Sequence, residues 1–307
     1  KLDSLQHLNE VVIDALPYRE VIPVQRLSGE LLGQMSAHSV ADAMRYFAGV
    51  QIKDYGGIVG LKTINVRNMG SQHVGVFYDG LPIGNAQNGV VDLGRFSLDD
   101  LEELSLYNGQ KSEVFPGAKD FASAASLYMI SRKPRFENVQ NTNLLNRYNA
   151  GTIHLINPSF RLERKLSDKF SINLSSEYIN SNGKYKMRYK RQNIDHSVAY
   201  DTTATRRNSD IEAYRIETGL YGNIYEGFWE TKIYYYHSDR GVPGAIVENK
   251  FHNGHREADK NFFAQRSFKK DVGDKYKFQV KGKYAFDYLH FLARDSTDFM
   301  GEGHPLN

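Results

Sequence analysis

Hydrophobic and polar positions alternate through most of the second half of this chain. In "KYKFQVKGKYAFDY", Tyr276, Phe278, Val280, Tyr284, Phe286 and Tyr288 take one parity, and Lys275, Lys277, Gln279, Lys281, Lys283 and Asp287 the other. A period of two belongs to a β-strand, whose successive side chains point to opposite faces. Strands of soluble proteins usually run about five or six residues, and this alternation runs much longer. The same grammar recurs upstream. "LINPSFRLERKL" separates Ile156, Phe160, Leu162 and Leu166 from Leu155, Asn157, Ser159, Arg161, Glu163 and Lys165. "AYRIETGLYGNIY" sets Tyr214, Ile216, Thr218, Leu220 and Ile224 against Arg215, Glu217 and Asn223, and "FWETKIYYYHSD" sets Trp229, Thr231, Ile233 and Tyr235 against Glu230 and Lys232.

Short turns ("LSDK", "YEGF", "DVGD") alternate with two long polar insertions, "RQNIDHSVAYDTTATRRNS" and "VPGAIVENKFHNGHREAD". From about Phe136 onward this predicts about seven long strands, with short turns at one rim and long loops at the other, the pattern of an outer-membrane barrel. Taken one at a time, the strands fit a soluble β-sandwich or propeller equally well.

The first half reads differently. Residues 1–22 form a lead-in with Pro17 and, just beyond it, Pro23. "SGELLGQMSAHSVADAMRYFAGV" predicts helix in two parts. Ser39 is placed to cap the second, Val40, Ala43, Met44 and Phe47 share a face, and Gly49 stops it. Short strands follow at "LKTINVRNM", "HVGVFYDG", "LEELSLYNG" and "SLYMISRK", with Asp79-Gly80 a hairpin turn signal. This half is a small α+β unit rich in glycine loops.

Composition narrows the picture. The chain has 307 residues, a net charge of +3 and no cysteine. That charge is too mild to imply nucleic acid, and thiol catalysis, disulfides and Zn–Cys sites are excluded. Mean hydropathy is −0.54, and no apolar run reaches the ~18 residues of a membrane helix. A transmembrane barrel averages to polar and is untouched by that test. The N-terminus has no apolar core of the kind a signal peptide carries. No Gly-x-Ser-x-Gly elbow and no HExxH motif is present, so the chain does not read as an enzyme. "GGIVG" lacks the Lys-Ser/Thr of a phosphate-cradling loop.

The order of motifs in the first half carries a resemblance. "SAHSVADAMRYFAGVQIKD", "INVRNMG", "VFYDGLPIG" and "LEELSLYNGQ" follow one another as in the plug domain of TonB-dependent outer-membrane receptors, which residues Val24 to Lys133 resemble throughout. Through "YGGIVGLKT", "GSQHVGVFYDG" and "NAQNG" the chain looks most similar to cobalamin-type receptors. It departs from the family at Asn108-Gly109-Gln110, where relatives have Arg-Gly-Pro, at Ser105, where they have a carboxylate, and at "FPGAKDFASAAS", where they have a glycine-rich stretch.

The resemblance implies a β-dominated fold: a TonB box and lead-in over 1–22, a plug over 23–135, and the N-terminal antiparallel strands of a transmembrane β-barrel over 136–307. The family's barrel has about 22 strands, so about seven here would make this chain a truncated part of one. The function implied is active import of a scarce, large nutrient across the bacterial outer membrane, with cobalamin or another corrinoid the narrowest reading. An iron chelate, glycan or peptide handled with a surface lipoprotein is the alternative.

Partners would be TonB of the inner-membrane complex, the ligand, a surface lipoprotein and the rest of the barrel, with no nucleic acid. The TonB box would be Glu10, Val11, Val12, Ile13, Asp14 and Ala15, a short apolar segment suited to adding itself to a partner's sheet edge. Substrate would meet Tyr55, Gly56, Gly57, Ile58 and Leu61 on one loop and Asn85, Ala86, Gln87 and Asn88 on another. Glycines let backbone approach a bulky ligand, and neutral amides supply donors and acceptors; turn chemistry explains the same residues without a ligand. Arg67 matches the family's plug arginine and, with Glu102, would contact the barrel. No cofactor and no metal site is expected. Asp195, Asp201 and Asp210 are weak candidates for loop calcium, and His252 and His255 with Glu248 and Asp259 weaker ones for a metal, solvated loop residues being the ordinary reading.

Overall fold

A computed structural model of the chain describes residues 24–35, 37, 39–54, 60–84, 89–109, 122–136, 140–243, 254–273, 275–293, 296–297 and 303–304. The alternating half folds as one antiparallel sheet. Its strands are β8 (Thr142–Gly151), β9 (Leu155–Lys165), β10 (Phe170–Ser181), β13 (Ile211–Ile224), β14 (Gly227–Val242), β15 (His255–Val272) and β16 (Tyr276–Leu292). They lie in the order β16-β15-β14-β13-β10-β9-β8, each beside its neighbour in this series, so the wall is a meander. The connections 166–169 and 225–226 lie at one rim, where Val272 and Tyr276 also pair; residues 152–154 and 182–210 lie at the other, where Val242 and His255 pair.

Two details differ from the sequence reading. The first long insertion is not all loop: its Val198–Arg206 (β12) pairs with Tyr185–Gln192 (β11), which leads into it, as a separate hairpin. The end of the second insertion, from His255 to Asp259, belongs to β15, because Ala258 and the residues that follow it continue the alternation of that strand.

Burial along these strands is inverted relative to a soluble sheet. Ile233 is 42% exposed and its neighbour Lys232 is 3% exposed. Likewise Phe160, Leu174, Ile216 and Phe286 are exposed, and Arg161, Glu163, Asn173, Ser175, Glu177, Arg215 and Glu217 are buried. Register aligns the exposed residues in rows across the wall. Phe160, Ser176, Ile216, Tyr235, Phe262 and Phe286 form one such row. The next row toward the long-loop rim is Tyr178, Tyr214, His237, Lys260 and Tyr288, and beyond it Asn180, Glu212, Asp239 and His290 are polar. Along β16 the apolar face runs from Phe278 to Tyr288, which is about 33 Å of strand and about 25 Å of height at a tilt of about 40°. That is the height of a barrel's apolar band, closed by an aromatic row.

The buried face is covered by the first half of the chain. There β1 (Val24–Ser28), β6 (Leu101–Tyr107), β7 (Ala125–Ser131), β4 (Val74–Tyr78) and β5 (Leu81–Ile83) form a sheet in that order, with β4 parallel to β7. The hairpin of β2 (Val50–Asp54) and β3 (Lys62–Val66) packs beside it. Two short helices, α1 (Glu30–Gln34) and α2 (Val40–Ala43), precede them. The Ser39 hydroxyl caps α2 by accepting from the Asp42 amide at 3.4 Å. The helix is shorter than its pattern predicts: Met44–Tyr46 tightens into a 3-10 turn. Val40, Ala43, Met44 and Phe47 are all buried, as their shared face requires. The β4–β5 turn has Asp79 at φ 50° and Gly80 at φ 75°, the paired left-handed geometry of a tight hairpin.

Candidate functional site

Four acidic residues project from this unit onto the wall, and each meets a base. Asp79, in the β4–β5 turn, accepts from the Lys232 ammonium at 2.8 Å, the Ser131 amide at 2.8 Å, the Ser131 hydroxyl at 2.9 Å and the Gln265 amide at 3.2 Å. Lys232 also lies 3.2 Å from Glu217, which accepts from the Tyr78 hydroxyl at 2.7 Å. Burial by itself raises the Asp79 carboxyl, but Lys232 and the Ser131 donors outweigh it and hold the group below the ordinary carboxylate value. Tyr78 is pushed well above its ordinary value by burial and by the neighbouring Glu217, so it stays a hydroxyl donor.

Asp100 accepts from Arg161 at 2.8 Å, and Arg215 lies 3.7 Å from it. Arg161 further binds Glu163 at 2.8 Å and the Arg132 carbonyl at 2.7 Å, while Arg215 pairs with Glu177. Asp99 pairs with Arg147 and accepts from Ser159 at 3.0 Å. Asp92 binds Arg240 at 3.0 Å through one oxygen and accepts from the Gly94 and Lys62 amides at 2.8 and 3.1 Å through the other. Arg240 is shared with Glu257 and with Asp259, the latter at 2.7 Å.

Between these pairs four rings interlock. Tyr234 and Phe263 of the wall stack at 4.7 Å, Phe96 packs on Tyr234 at 5.5 Å, and Tyr78 lies 5.7–5.8 Å from Phe263 and Phe96. The ring pairs contribute about 0.5–1.5 kcal/mol each beyond area burial. The buried ion pairs act mainly as position markers, since their desolvation offsets most of their attraction, and breaking one side is what costs.

Toward the long-loop rim a cleft opens between plug and wall, lined by Ser39, Gly60, Asp92 and Gly94 on one side and Leu155, Asn157, Ile211, Tyr236 and Arg240 on the other. Gly60 adjoins Leu61, which is half-buried, and Asp92 follows the second of the two loops singled out above. Tyr55, Gly56, Gly57, Ile58, Asn85, Ala86, Gln87 and Asn88 lie outside the described residues, as does the whole segment Glu10 to Ala15. Arg67 sits at φ 49° on an exposed turn after β3, where its amide donates to the Gly49 carbonyl at 2.9 Å. Glu102 lies 3.2 Å from Arg135 and 4.0 Å from Arg132, both in the segment joining plug to wall.

The weak metal candidates have other partners. Asp195 accepts from Ser197, Asp201 binds Arg188, and Asp210 binds Arg256. His255 and Asp259 are on β15, Asp259 being taken by Arg240, while Glu248 and His252 lie outside the described residues. Among the described residues no group of three or more His, Cys, Asp or Glu could hold a metal ion.

Sequence reasoning did not single out Asp79, Asp92, Asp99 and Asp100 as the groups that meet the wall. A signal was present. Arg161, Arg215, Lys232 and Arg240 recur at inward parity on three strands, and buried cations demand anions from whatever fills the lumen.

Residues 18–118 match the family model described as "TonB-dependent Receptor Plug Domain". Solved structures match across about nine tenths of the chain. The ferric-catecholate import receptor Fiu of E. coli K12 has a TM-score of 0.62 and 13% identity, covering 89% of this chain and 40% of its own. The siderophore receptor PiuA of Acinetobacter baumannii has a TM-score of 0.63 and 14% identity, covering 91% and 38%. The copper transporter OprC has a TM-score of 0.62 and 11% identity, covering 88% and 38%. The chain thus spans about two fifths of the length of these receptors. It has the fold of a TonB-dependent receptor's plug domain set against seven antiparallel strands of the surrounding barrel.

Proposed function

We propose that this chain is the plug and leading barrel wall of an outer-membrane receptor that imports a chelated metal, driven by TonB. The observation that carries the reading is the inverted wall: an outward apolar band about 25 Å high, and an inward polar face filled by a plug that buries Asp79, Asp92 and Asp100 against Lys232, Arg240 and Arg161. A plugged lumen neither leaks nor conducts, so passage requires work on the plug. The segment Glu10–Ala15 is the handle on which TonB would act, by strand addition at a sheet edge. Substrate binds at the long-loop rim, above the cleft between Gly60, Asp92, Tyr236 and Arg240, with Tyr55–Ile58, Leu61 and Asn85–Asn88 as its plug-side contacts. Glu102, through Arg135 and Arg132, would hold the plug to the segment that leads into the wall, and Arg67 would meet barrel strands other than the seven described.

Metal chelates are favoured because the matching receptors are described as taking up ferric chelates or copper. Corrinoids are metal chelates too, and the neutral loop motifs favour them within that class. A titration panel on the full-length receptor separates the two. Heat with a ferric siderophore and none with any corrinoid overturns the narrower reading; no heat with any chelate overturns the wider one. For the coupling, deletion of Leu8 to Ala15 should abolish uptake and leave binding unchanged. Uptake that survives the deletion would sink the assignment of the handle.

A further inference from the structure

Between β10 and β13 the chain leaves the wall and returns as the β11–β12 hairpin, a two-stranded sheet of its own. Residues 184–207 hold seven Lys and Arg against two Asp, a formal +5 in a chain whose total is +3, so all other residues together carry −2. Lys184, Lys186, Arg188, Lys190, Arg191 and Arg207 are exposed. Arg188 is engaged by Asp201 at 2.6 Å, whereas Lys184, Lys186 and Arg191 have no ion-pair partner among the described residues. Lys186, Arg188 and Lys190 fall on one face of β11, opposite Thr205, Thr203 and Asp201. The other face carries Tyr185, Met187 and Tyr189, with Tyr189 edge-on to Tyr200 at 5.9 Å.

A lone hairpin is marginal in water, and like charges packed along one strand weaken it further. The chain has nonetheless concentrated its positive charge there. The place of the hairpin says what offsets it. Lys184 follows Tyr178 of the aromatic row by six residues, and Asn180 and Glu212 already belong to the polar row above the apolar band. At Gly183, φ 58°, a side chain would run into the Ser209 backbone, so the two legs of the hairpin are pinned together at the rim itself. The basic residues therefore start where the headgroups of a membrane around the band would begin. Basic side chains at that depth are drawn to anionic lipid headgroups.

We propose that the β11–β12 hairpin is a membrane-surface contact that binds the phosphates of anionic lipid headgroups in the leaflet at the long-loop rim. The inference rests on the barrel reading above. Ile194, at the hairpin tip, is fully exposed, and the chain has no cysteine. I194C, in a full-length receptor freed of any other cysteine, can therefore carry a fluorophore. The receptor is placed in nanodiscs of phosphatidylcholine alone, or with about one third phosphatidylglycerol to supply anionic headgroups.

In the anionic disc the label's anisotropy should rise, and amides of residues 184–207 should exchange roughly fivefold or more slowly than in the neutral disc. The contrast should vanish near 1 M salt, where the Debye length falls to about 3 Å, and in the K186S/K190S/R191S variant. Equal exchange in the two discs, or a contrast that survives the triple substitution, overturns the proposal. Equal protection in neutral discs by added inorganic phosphate or soluble polyphosphate also overturns it, in favour of a soluble anion. Failure to insert into either disc overturns the barrel reading first, and is seen separately as protein absent from the discs.

Discussion

Lys232 is the cation on which the plug–wall contact turns, and removing it should cost more than removing its plug partner. Its ammonium lies 2.8 Å from Asp79 and 3.2 Å from Glu217. In Lys232→Met both carboxylates lose their cation inside a buried site. Neutralising one of them by proton uptake at pH 7 spans about three pH units from an ordinary carboxylate value, or about 4 kcal/mol, in line with the ~3–5 kcal/mol of a broken buried pair. In Asp79→Asn, Lys232 keeps Glu217, and the amide oxygen can still accept from the Ser131 backbone. The loss is then that of charge assistance in a hydrogen bond, about 1.5–3 kcal/mol.

The assay is hydrogen exchange by mass spectrometry on the full-length receptor, following plug peptides from β4 and β7. At about 1.4 kcal/mol per decade, K232M should speed exchange about a thousandfold and D79N about ten- to a hundredfold. Adding Glu217→Gln to K232M should recover part of the loss, because it removes one stranded charge. The reasoning is refuted if D79N is the more damaging change, if K232M accelerates exchange less than tenfold, or if K232M/E217Q is worse than K232M.

Further expectations follow from the same geometry. Because the native Asp79 carboxyl is held below its ordinary value, its contribution is complete above about pH 4 and is lost as pH falls through the lower native value. The difference in plug exchange between D79N and the parent should therefore stay constant from pH 7 to 5, once corrected for intrinsic rates, and shrink below that as the parent loses the Asp79 contribution. Ile233→Lys, in the middle of the outward band, should destabilise the barrel by about 2–4 kcal/mol in urea unfolding from lipid, and Lys at exposed Thr203 by under about 0.5 kcal/mol; equal effects would mean that the outward face does not meet lipid. Gly80→Val should cost at least about 1 kcal/mol of plug anchoring by the same exchange assay, since φ 75° is strained for a branched side chain and the added carbon meets the Lys281 ammonium; unchanged exchange would contradict the turn geometry. The exposed Arg188–Asp201 pair should show little or no coupling in a double-mutant cycle, and strong coupling would mean that the hairpin shields it from water.

Local chemistry was sufficient for much of this protein. A period of two places Ile233 and Lys232 on opposite faces of β14 whatever surrounds them, because strand side chains alternate by covalent geometry. Asp79-Gly80 predicts its turn because few dipeptides accept two left-handed residues, and Ser39 predicts a helix start because its hydroxyl can satisfy a free amide.

What the pattern left open was which face would be buried. A lone amphipathic strand folds equally well with Ile233 inward or Lys232 inward, and the choice belongs to whatever fills the concave side. The plug made that choice, through acids scattered over sequence separations of roughly 50 to 150 residues from their bases. Periodicity carries no information at that range. For the same reason the four plug aspartates went unnoticed: an aspartate before a turn or in a loop looks the same in sequence whether solvent or a buried arginine faces it. The hairpin was missed because β12, inside the first long insertion, is rich in threonine and shows no strong apolar face. β11 alternates Tyr185, Met187 and Tyr189 with Lys186, Arg188 and Lys190 but has no partner legible in the sequence. Only the pairing of Lys186 with Thr205 and Arg188 with Thr203 gathers its charges at one rim of the wall.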